Sequence, residues 1–413
     1  MSFIITCPHC QEKLQAEDEW EGQAATCLSC GARFIIRRDD NDVVADDATQ
    51  SADQGTIMGK VDEAIRAAFK LNKLEGFSFS HFMRQVFKRH SWEDTETYLA
   101  QGTPMTTPPI TDVDATWPAP WVFARGIFFT VIFAFFLTWL KEFFGVSNVV
   151  MPYVIVGLIG IPFAMLLFFW EVNIPKNISI LSLVRIVLIS GFVSIAITIL
   201  IREIIVDPEN AIWAGPIEEL AKLMTILFFF RNKKYKFLLN GILIGAAVGT
   251  GFEIIENGGY LIESFMGDIA NAIDTFLDGV MRYENADLAM DAALNGKYSS
   301  DKNLITRTLS SVTCHILWSS ITGAALWVTK KNGTFSFSNL ANGRFLRLFA
   351  CAIGLHMFHN SQILGDQYII KLAIIAVIGY VVVIHLIQEG INEVRKIKSS
   401  VGQENATEKV PSA

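Results

Sequence analysis

Four polar clusters interrupt apolar stretches of this chain. The first is Gly215-Pro216-Ile217-Glu218-Glu219-Leu220-Ala221-Lys222, inside an apolar run from Ala211 to Phe230. That run is long enough to cross a bilayer. The second is Phe252-Glu253-Ile254-Ile255-Glu256-Asn257, the third is His315, and the fourth is His356-Met357-Phe358-His359-Asn360. A charged side chain at the centre of a membrane helix costs roughly 2.5–3.5 kcal/mol, and function is the usual reason for keeping one there. Carboxylates, imidazoles and an amine are the side chains that pass protons and hold cations. The elements around them must bring four separate segments together.

Depth and face agree with such a convergence. At about 1.5 Å per residue, Glu218 and Glu219 enter from the outer side and sit roughly 10 Å below its edge. Glu253 and Glu256 come out about 5–10 Å deep, His315 roughly 15 Å and His356 about 12 Å. Glu218 precedes Lys222 by four residues, the favourable order for a helical ion pair. Glu218 and Glu219 point about 100° apart, so one is free to face a reaction site while the other holds Lys222 or a neighbouring helix. Glu253, Glu256 and Asn257 share a helix face, as do His356, His359 and Asn360.

The composition sets the solvent. The chain has 413 residues, 51% of them hydrophobic and 18% charged, against about 25% charged in a soluble domain. Its mean hydropathy is +0.37. Long apolar runs recur from Trp121 onward, which predicts an all-α polytopic membrane protein. About eight spans are expected, near 121–140, 149–170, 179–201, 211–230, 235–260, 305–328, 346–364 and 368–388. Basic residues cluster after the fourth (Arg231, Lys233, Lys234, Lys236), around the sixth connection (Lys330, Lys331, Arg344, Arg347) and after the last (Arg395, Lys396, Lys398). The positive-inside tendency places these and both termini in the cytoplasm. The connection from about Ile262 to Asn303 has an apolar rhythm at Phe265, Ile269, Ile273, Phe276 and Leu277. It predicts one amphipathic helix at the outer surface, a lid or a packed loop. A net charge of −7 argues against nucleic-acid binding, which needs a basic surface. The start, Met1-Ser2-Phe3-Ile4-Ile5-Thr6, lacks the basic and long apolar regions of a cleaved signal peptide.

The N-terminus differs in kind. Cys7-Pro8-His9-Cys10 and Cys27-Leu28-Ser29-Cys30 are separated by sixteen residues, a zinc-ribbon spacing. Four thiolates from two tight turns close a tetrahedral zinc shell, so this zinc is structural. A pair of redox CxxC motifs is the alternative. The ribbon's partner is unknown. The expected order is a ribbon over 1–36, a disordered acidic linker over 37–57, a juxtamembrane region over 58–120, the transmembrane domain over 121–390 and a cytoplasmic tail over 391–413. The juxtamembrane region is basic and amphipathic, suited to anionic lipid or to packing on itself. Ser91-Trp92-Glu93-Asp94 predicts a capped helix start. Cys314 and Cys351 read as buried small hydrophobes, and His385 as an interfacial residue near the inner end of the last span.

Taken in order, EExxK (Glu218, Glu219, Lys222), FExxEN (Phe252, Glu253, Glu256, Asn257), a lone His315, and HxxxN (His356, Asn360) resemble the PrsW family of intramembrane proteases, related to the CAAX-prenyl endopeptidases. The resemblance covers at most about residues 90–390. It implies peptide-bond hydrolysis at or within the bilayer. Two mechanisms fit. In one, Glu and His residues hold a catalytic Zn²⁺ whose bound water is acidified; His315, His356 and Glu219 are its expected ligands. In the other, a glutamate is general base to one water, while His356 and Asn360 stabilise the oxyanion. The resemblance makes Glu219 or Glu218 the base, His315 and His356 ligands or stabilisers, Glu253 their support and Asn360 an oxyanion donor. Lys222 reads as a counter-ion, and Glu256, Asn257 and His359 as supporting groups. The implied partner is a single-span membrane protein, such as an anti-sigma factor, in a bacterial inner membrane. An ion- or proton-coupled carrier, which also buries Glu, His and Lys, and a non-catalytic peptide-binding scaffold are the competing readings.

Overall fold

The computed structural model describes residues 2–6, 13–17, 24–26, 33–35, 56–144, 155–204, 213–232, 234–283, 306–308, 310–330, 336–365 and 367–408. The chain divides into two compact units, Met1–Ala64 and Ile65–Ala413. In the first, β1 (Ser2–Thr6) pairs antiparallel with β2 (Lys13–Glu17), and β3 (Ala24–Thr26) with β4 (Arg33–Ile35). A CxxC pair lies between the strands of each hairpin. Cys7, Cys10, Cys27 and Cys30 themselves lie outside the described residues, and so does the acidic linker.

Everything else is helical. The elements are α1 (Ile57–Phe69), α2 (Phe79–Met83), α3 (Trp92–Leu99), α4 (Val122–Phe144), α5 (Ile161–Val172, extended upstream by a π turn at Val156–Gly160), α6 (Ile180–Ile204), α7 (Ala214–Phe230), α8 (Leu238–Tyr283), α9 (His315–Val328), α10 (Gly343–Asn360) and α11 (Tyr368–Glu408). The chain is a multi-pass membrane protein. Among the described residues, four helical stretches are long and apolar enough to cross a bilayer: Val122–Leu140, Ile180–Ile204, Leu238–Met281 and Tyr368–Gly402. The first has its apolar side chains exposed, Phe128, Phe129, Phe135 and Phe143 among them, as lipid contact requires. The most apolar part of the third is almost wholly buried, while its far end exposes Ile262, Phe265, Met266 and Met281. It is the axis against which α6, α9 and α5 pack.

Two expectations change here. The outer amphipathic helix is not a separate element. It continues α8, which runs 46 residues without a break, about 70 Å at 1.5 Å per residue. Gly258-Gly259 is a local breaker in that region, but two glycines do not stop a helix with apolar residues in register on both sides. The rest of the connection, 284–305, lies outside the described residues. The sixth apolar stretch is not one helix from its start. Residues 306–308 are helical, then the chain turns and α9 begins at His315. Hydroxyls cause the break. Ser310 Oγ and Ser311 Oγ both donate to Arg307 O at 2.9 Å, and Thr313 Oγ1 donates to Ser310 O at 3.2 Å. Such bonds compete with the helical ladder.

Helix ends are tied by side chains from elsewhere. Glu171 accepts from the backbone N–H of Trp121, Val122 and Phe123 at 2.7, 3.0 and 2.9 Å, closing the start of α4. Glu393 Oε2 accepts from Leu238 N at 2.6 Å, closing the start of α8. Asn240 donates to Asn173 at 2.9 Å and to Asn177 at 2.8 Å, tying the turn after α5 to the same end. Ser91 caps α3 as its sequence predicts, accepting from Asp94 N at 3.0 Å. The juxtamembrane region packs on the helical domain. Trp117 donates to Glu75 O and Gln388 Oε1, both at 3.0 Å, and Phe82 meets Phe168 of α5. Cys314 and Cys351 are buried and free, as expected. His385 is not interfacial: it is 1% exposed, because α11 continues 23 residues past it.

The contact between α8 and α9 is the closest in the bundle. A Cβ on Gly245 would overlap the Ser319 carbonyl, and one on Gly249 would overlap that of His315. Small residues four apart let two membrane helices approach this way. The backbone of His315 is therefore positioned by Gly249. Gly245→Val is expected to lower the thermal unfolding temperature of the detergent-solubilised protein, by overpacking worth about 1–3 kcal/mol. Gly267→Ala, on the same helix with nothing within 4 Å of the added methyl, is expected to leave it unchanged or raise it.

Candidate active site

Glu218, Glu219 and Lys222 lie within the first three turns of α7, and all three side chains are at most 3% exposed. Lys222 Nζ is bonded to Glu219 Oε1 at 2.7 Å and to His315 Nδ1 at 2.7 Å, and it lies 4.0 Å from Glu218 Oε2. The ring of Phe252 on α8 lies beneath it, 4.1 Å from Nζ to centroid. Lys222 is a counter-ion, but one shared by three helices. Because its ammonium only donates, His315 Nδ1 accepts. The His315 proton then sits on Nε2, which lies 2.8 Å from Glu256 Oε2.

His356, on α10, completes the group. Its Nδ1 is 3.1 Å from Glu219 Oε1 and its Nε2 is 3.6 Å from Glu218 Oε2. Trp318 of α9 stacks on its ring at 4.4 Å between centroids. The two imidazoles lie edge to face, 5.0 Å apart. Glu253 stands behind His315. Its Oε1 accepts from Asn257 Nδ2 at 2.7 Å and Ser311 Oγ at 2.9 Å, and its Oε2 accepts from His315 N at 3.3 Å. It thus caps the N-terminus of α9, where a carboxylate is favoured. The turn that breaks the sixth apolar stretch is what exposes that N–H.

The sequence-predicted residues thus fall into two sets. Glu218, Glu219, Lys222, Glu253, Glu256, Asn257, His315 and His356 form one connected group, buried except for the partly exposed Glu256. Asn360 is placed with His359 instead, Nδ1 to Oδ1 at 3.1 Å, one turn beyond His356. His359 also reaches Tyr368 of α11 at 3.4 Å. Sequence reasoning missed three members. Ser311 holds Glu253. Arg307 donates to Asn257 Oδ1 at 2.9 Å. Arg202, on the last turn of α6, donates to Glu218 Oε1 at 3.3 Å. The signal for Arg202 was present: it is a basic residue beside a connection that otherwise leans acidic.

A metal ion fits this donor set if His315 frees one nitrogen, by Lys222 leaving Nδ1 or by the Nε2 proton passing to Glu256. Glu218, His315 and His356 each offer a ligand atom, and these atoms lie within 4.8 Å of one another. Glu218 Oε2 is buried and accepts no hydrogen bond. Three protein ligands and an open position define a catalytic zinc site, and the carboxylate on His356 Nδ1 is the usual orienting partner of a metal-bound imidazole. The carboxylate in this set is Glu218, not the expected Glu219. The reason is local: Glu219 Oε1 is already taken by Lys222 and His356.

A bilayer-spanning helical bundle that buries carboxylates, imidazoles and a metal-capable triad is the architecture of a membrane hydrolase. A model of the PrsW family of intramembrane metalloproteases matches residues 178–387, half of the chain, and the protein belongs to that family. No curated protein and no solved structure matches it. The chain is therefore an intramembrane endopeptidase, which acts on membrane-protein substrates within the bilayer, and the carrier and scaffold readings give way.

Lys222 offers a direct test of this geometry. Lys222→Met is expected to cost roughly 3–5 kcal/mol, since it leaves a buried carboxylate without its partner. Adding Glu219→Gln is expected to recover part of that loss in thermal unfolding, because Lys222 and Glu219 couple directly.

Proposed function

We propose that the Glu218, His315 and His356 group is where a water attacks the peptide bond of a single-span membrane protein. The observation that carries this reading is the partnerless Glu218 Oε2, 3.6 Å from His356 Nε2 in a buried site. A metal would be held by Glu218, His315 and His356. When bound it would acidify a water and polarise the scissile carbonyl. Glu219 accepts the proton of the attacking water through its Oε2, which also lacks a donor, and its Oε1 holds the His356 ring in place. Lys222 balances Glu219 and Glu218. Glu256 holds His315 in one tautomer, and Glu253 holds the helix end that carries it. Asn360, one turn beyond His356, would supply an N–H to the oxyanion.

A second, metal-free reading has its own observation. Lys222 Nζ already sits 2.7 Å from both Glu219 and His315, the position of a cation in the group. In that case Glu218 is the base. The basic connections support a site toward the outer side of a bacterial inner membrane, with eight spans and both termini inside. A single-span regulator such as an anti-sigma factor suits it. The four N-terminal cysteines hold a structural zinc.

The experiment compares full-length protein in vesicles, supplied with labelled single-span substrates, with Glu218→Gln, Glu219→Gln, His315→Ala and His356→Ala. Each variant is expected to lose about 100-fold or more in cleavage rate. Wild-type rates in all four would remove the assignment. Metal content separates the two readings. If the triad holds an ion, His356→Ala loses one metal per chain relative to wild type. If Lys222 is the resident cation, the two proteins carry the same amount.

A further inference from the structure

Arg202 is the more exposed of the two cations beside Glu218. Its side chain is 37% exposed, whereas the Glu218 carboxylate it touches is 3% exposed. Among the described residues it makes one hydrogen bond, Nη2 to Glu218 Oε1 at 3.3 Å, just beyond the usual range for such a bond. A guanidinium can give a carboxylate two parallel and shorter N–H bonds, so most of its donor capacity is unused. A second guanidinium stands near. Arg307 lies on the Tyr260 ring, 3.6 Å from its centroid, and donates to Asn257, which in turn donates to Glu253. Two guanidiniums are therefore joined to one buried, carboxylate-rich group. An extended chain entering there with a carboxylate beside the bond to be cut would meet them before it met Glu218.

We propose that Arg202 selects the substrate: it takes a carboxylate next to the scissile bond, exchanging its single contact with Glu218 for a paired contact with the substrate. This rests on reading the Glu218 group as the site of hydrolysis. No covalent bond changes in the exchange. Glu218 Oε1 is released toward the reacting water, and the carboxylate keeps Lys222 at 4.0 Å and His356 at 3.6 Å. The enzyme is thereby completed by its own substrate. A chain without the acidic group leaves Glu218 held by Arg202. The carboxylate comes from an Asp or Glu side chain or from a free chain end.

The test uses the full-length protein in vesicles and synthetic single-span peptides with a polyleucine core. Flanking the cleaved bond, they carry Asp and Glu, Asn and Gln, or Lys. A further pair differs only in a free or amidated C-terminus. Wild type is expected to prefer the acidic peptides over the amides by about tenfold or more in kcat/KM, and Arg202→Lys to keep part of that preference. Arg202→Glu is expected to favour the Lys peptides instead. If that variant does not fold, Arg202→Gln decides: it is expected to erase the difference between acidic and amide peptides. A preference for the free over the amidated C-terminus alone identifies the chain end as the ligand. Equal cleavage of acidic and amide peptides by wild type overturns the inference, and so does a uniform loss in Arg202→Gln with the preference intact. Failure of the hydrolysis reading looks different: Glu218→Gln would cut every peptide at the wild-type rate.

Discussion

The site is organised by one ammonium group in a place where an ammonium is costly. Lys222 is wholly buried, and a lone charge there would be destabilised by several kcal/mol. It is tolerated because Glu219 and His315 meet it at hydrogen-bond distance, Glu218 lies 4.0 Å away, and an aromatic face closes the remaining side. The same contacts decide the chemistry of their partners. Lys222 turns His315 Nδ1 into an acceptor, which sends the imidazole proton toward Glu256. It also ties up Glu219 Oε1, which in turn fixes His356. Glu218 and Glu219 are each left with one oxygen, Oε2, that accepts no hydrogen bond.

That arrangement needs helices at short, fixed separations, and the bundle supplies them by two means. Glycine faces let α8 and α9 touch backbone to backbone, so Gly249 sets where His315 begins. Polar side chains then close helix ends that the membrane would otherwise leave unsatisfied. Glu253 at the start of α9 is both kinds of device at once. It completes a helix terminus and fixes the residue whose imidazole faces the site. Positioning and stability are thus the same interaction there, which explains why so many ionisable groups are gathered in an apolar domain.

Electrostatics across the group is unbalanced. Four carboxyl groups, of Glu218, Glu219, Glu253 and Glu256, share the group with two cations, Lys222 and Arg202, which meet only Glu218 and Glu219, and Arg307 joins through Asn257. An excess of acidic oxygen in low dielectric draws in a cation or a proton donor. This favours a metal-capable triad, and it makes the half-exposed Arg202 a group with two claims on it, one from Glu218 and one from any anion that approaches.

Much of this was legible in the residues alone. Apolar runs of membrane length fixed the class, since no soluble fold exposes such surface. Charges inside those runs marked the site, because their burial cost demands partners, and the spacing of Glu218, Glu219 and Lys222 already implied the ion pair. The tertiary structure decided the rest, because it depends on contacts between distant segments. Which oxygen of Glu219 is occupied follows from His356 reaching it, 137 residues away. The start of α9 at His315 follows from hydroxyl bonds that an apolar count cannot weigh. Arg202, just past the apolar run as counted, acquires its meaning only from the Glu218 carboxylate that the fold sets against it.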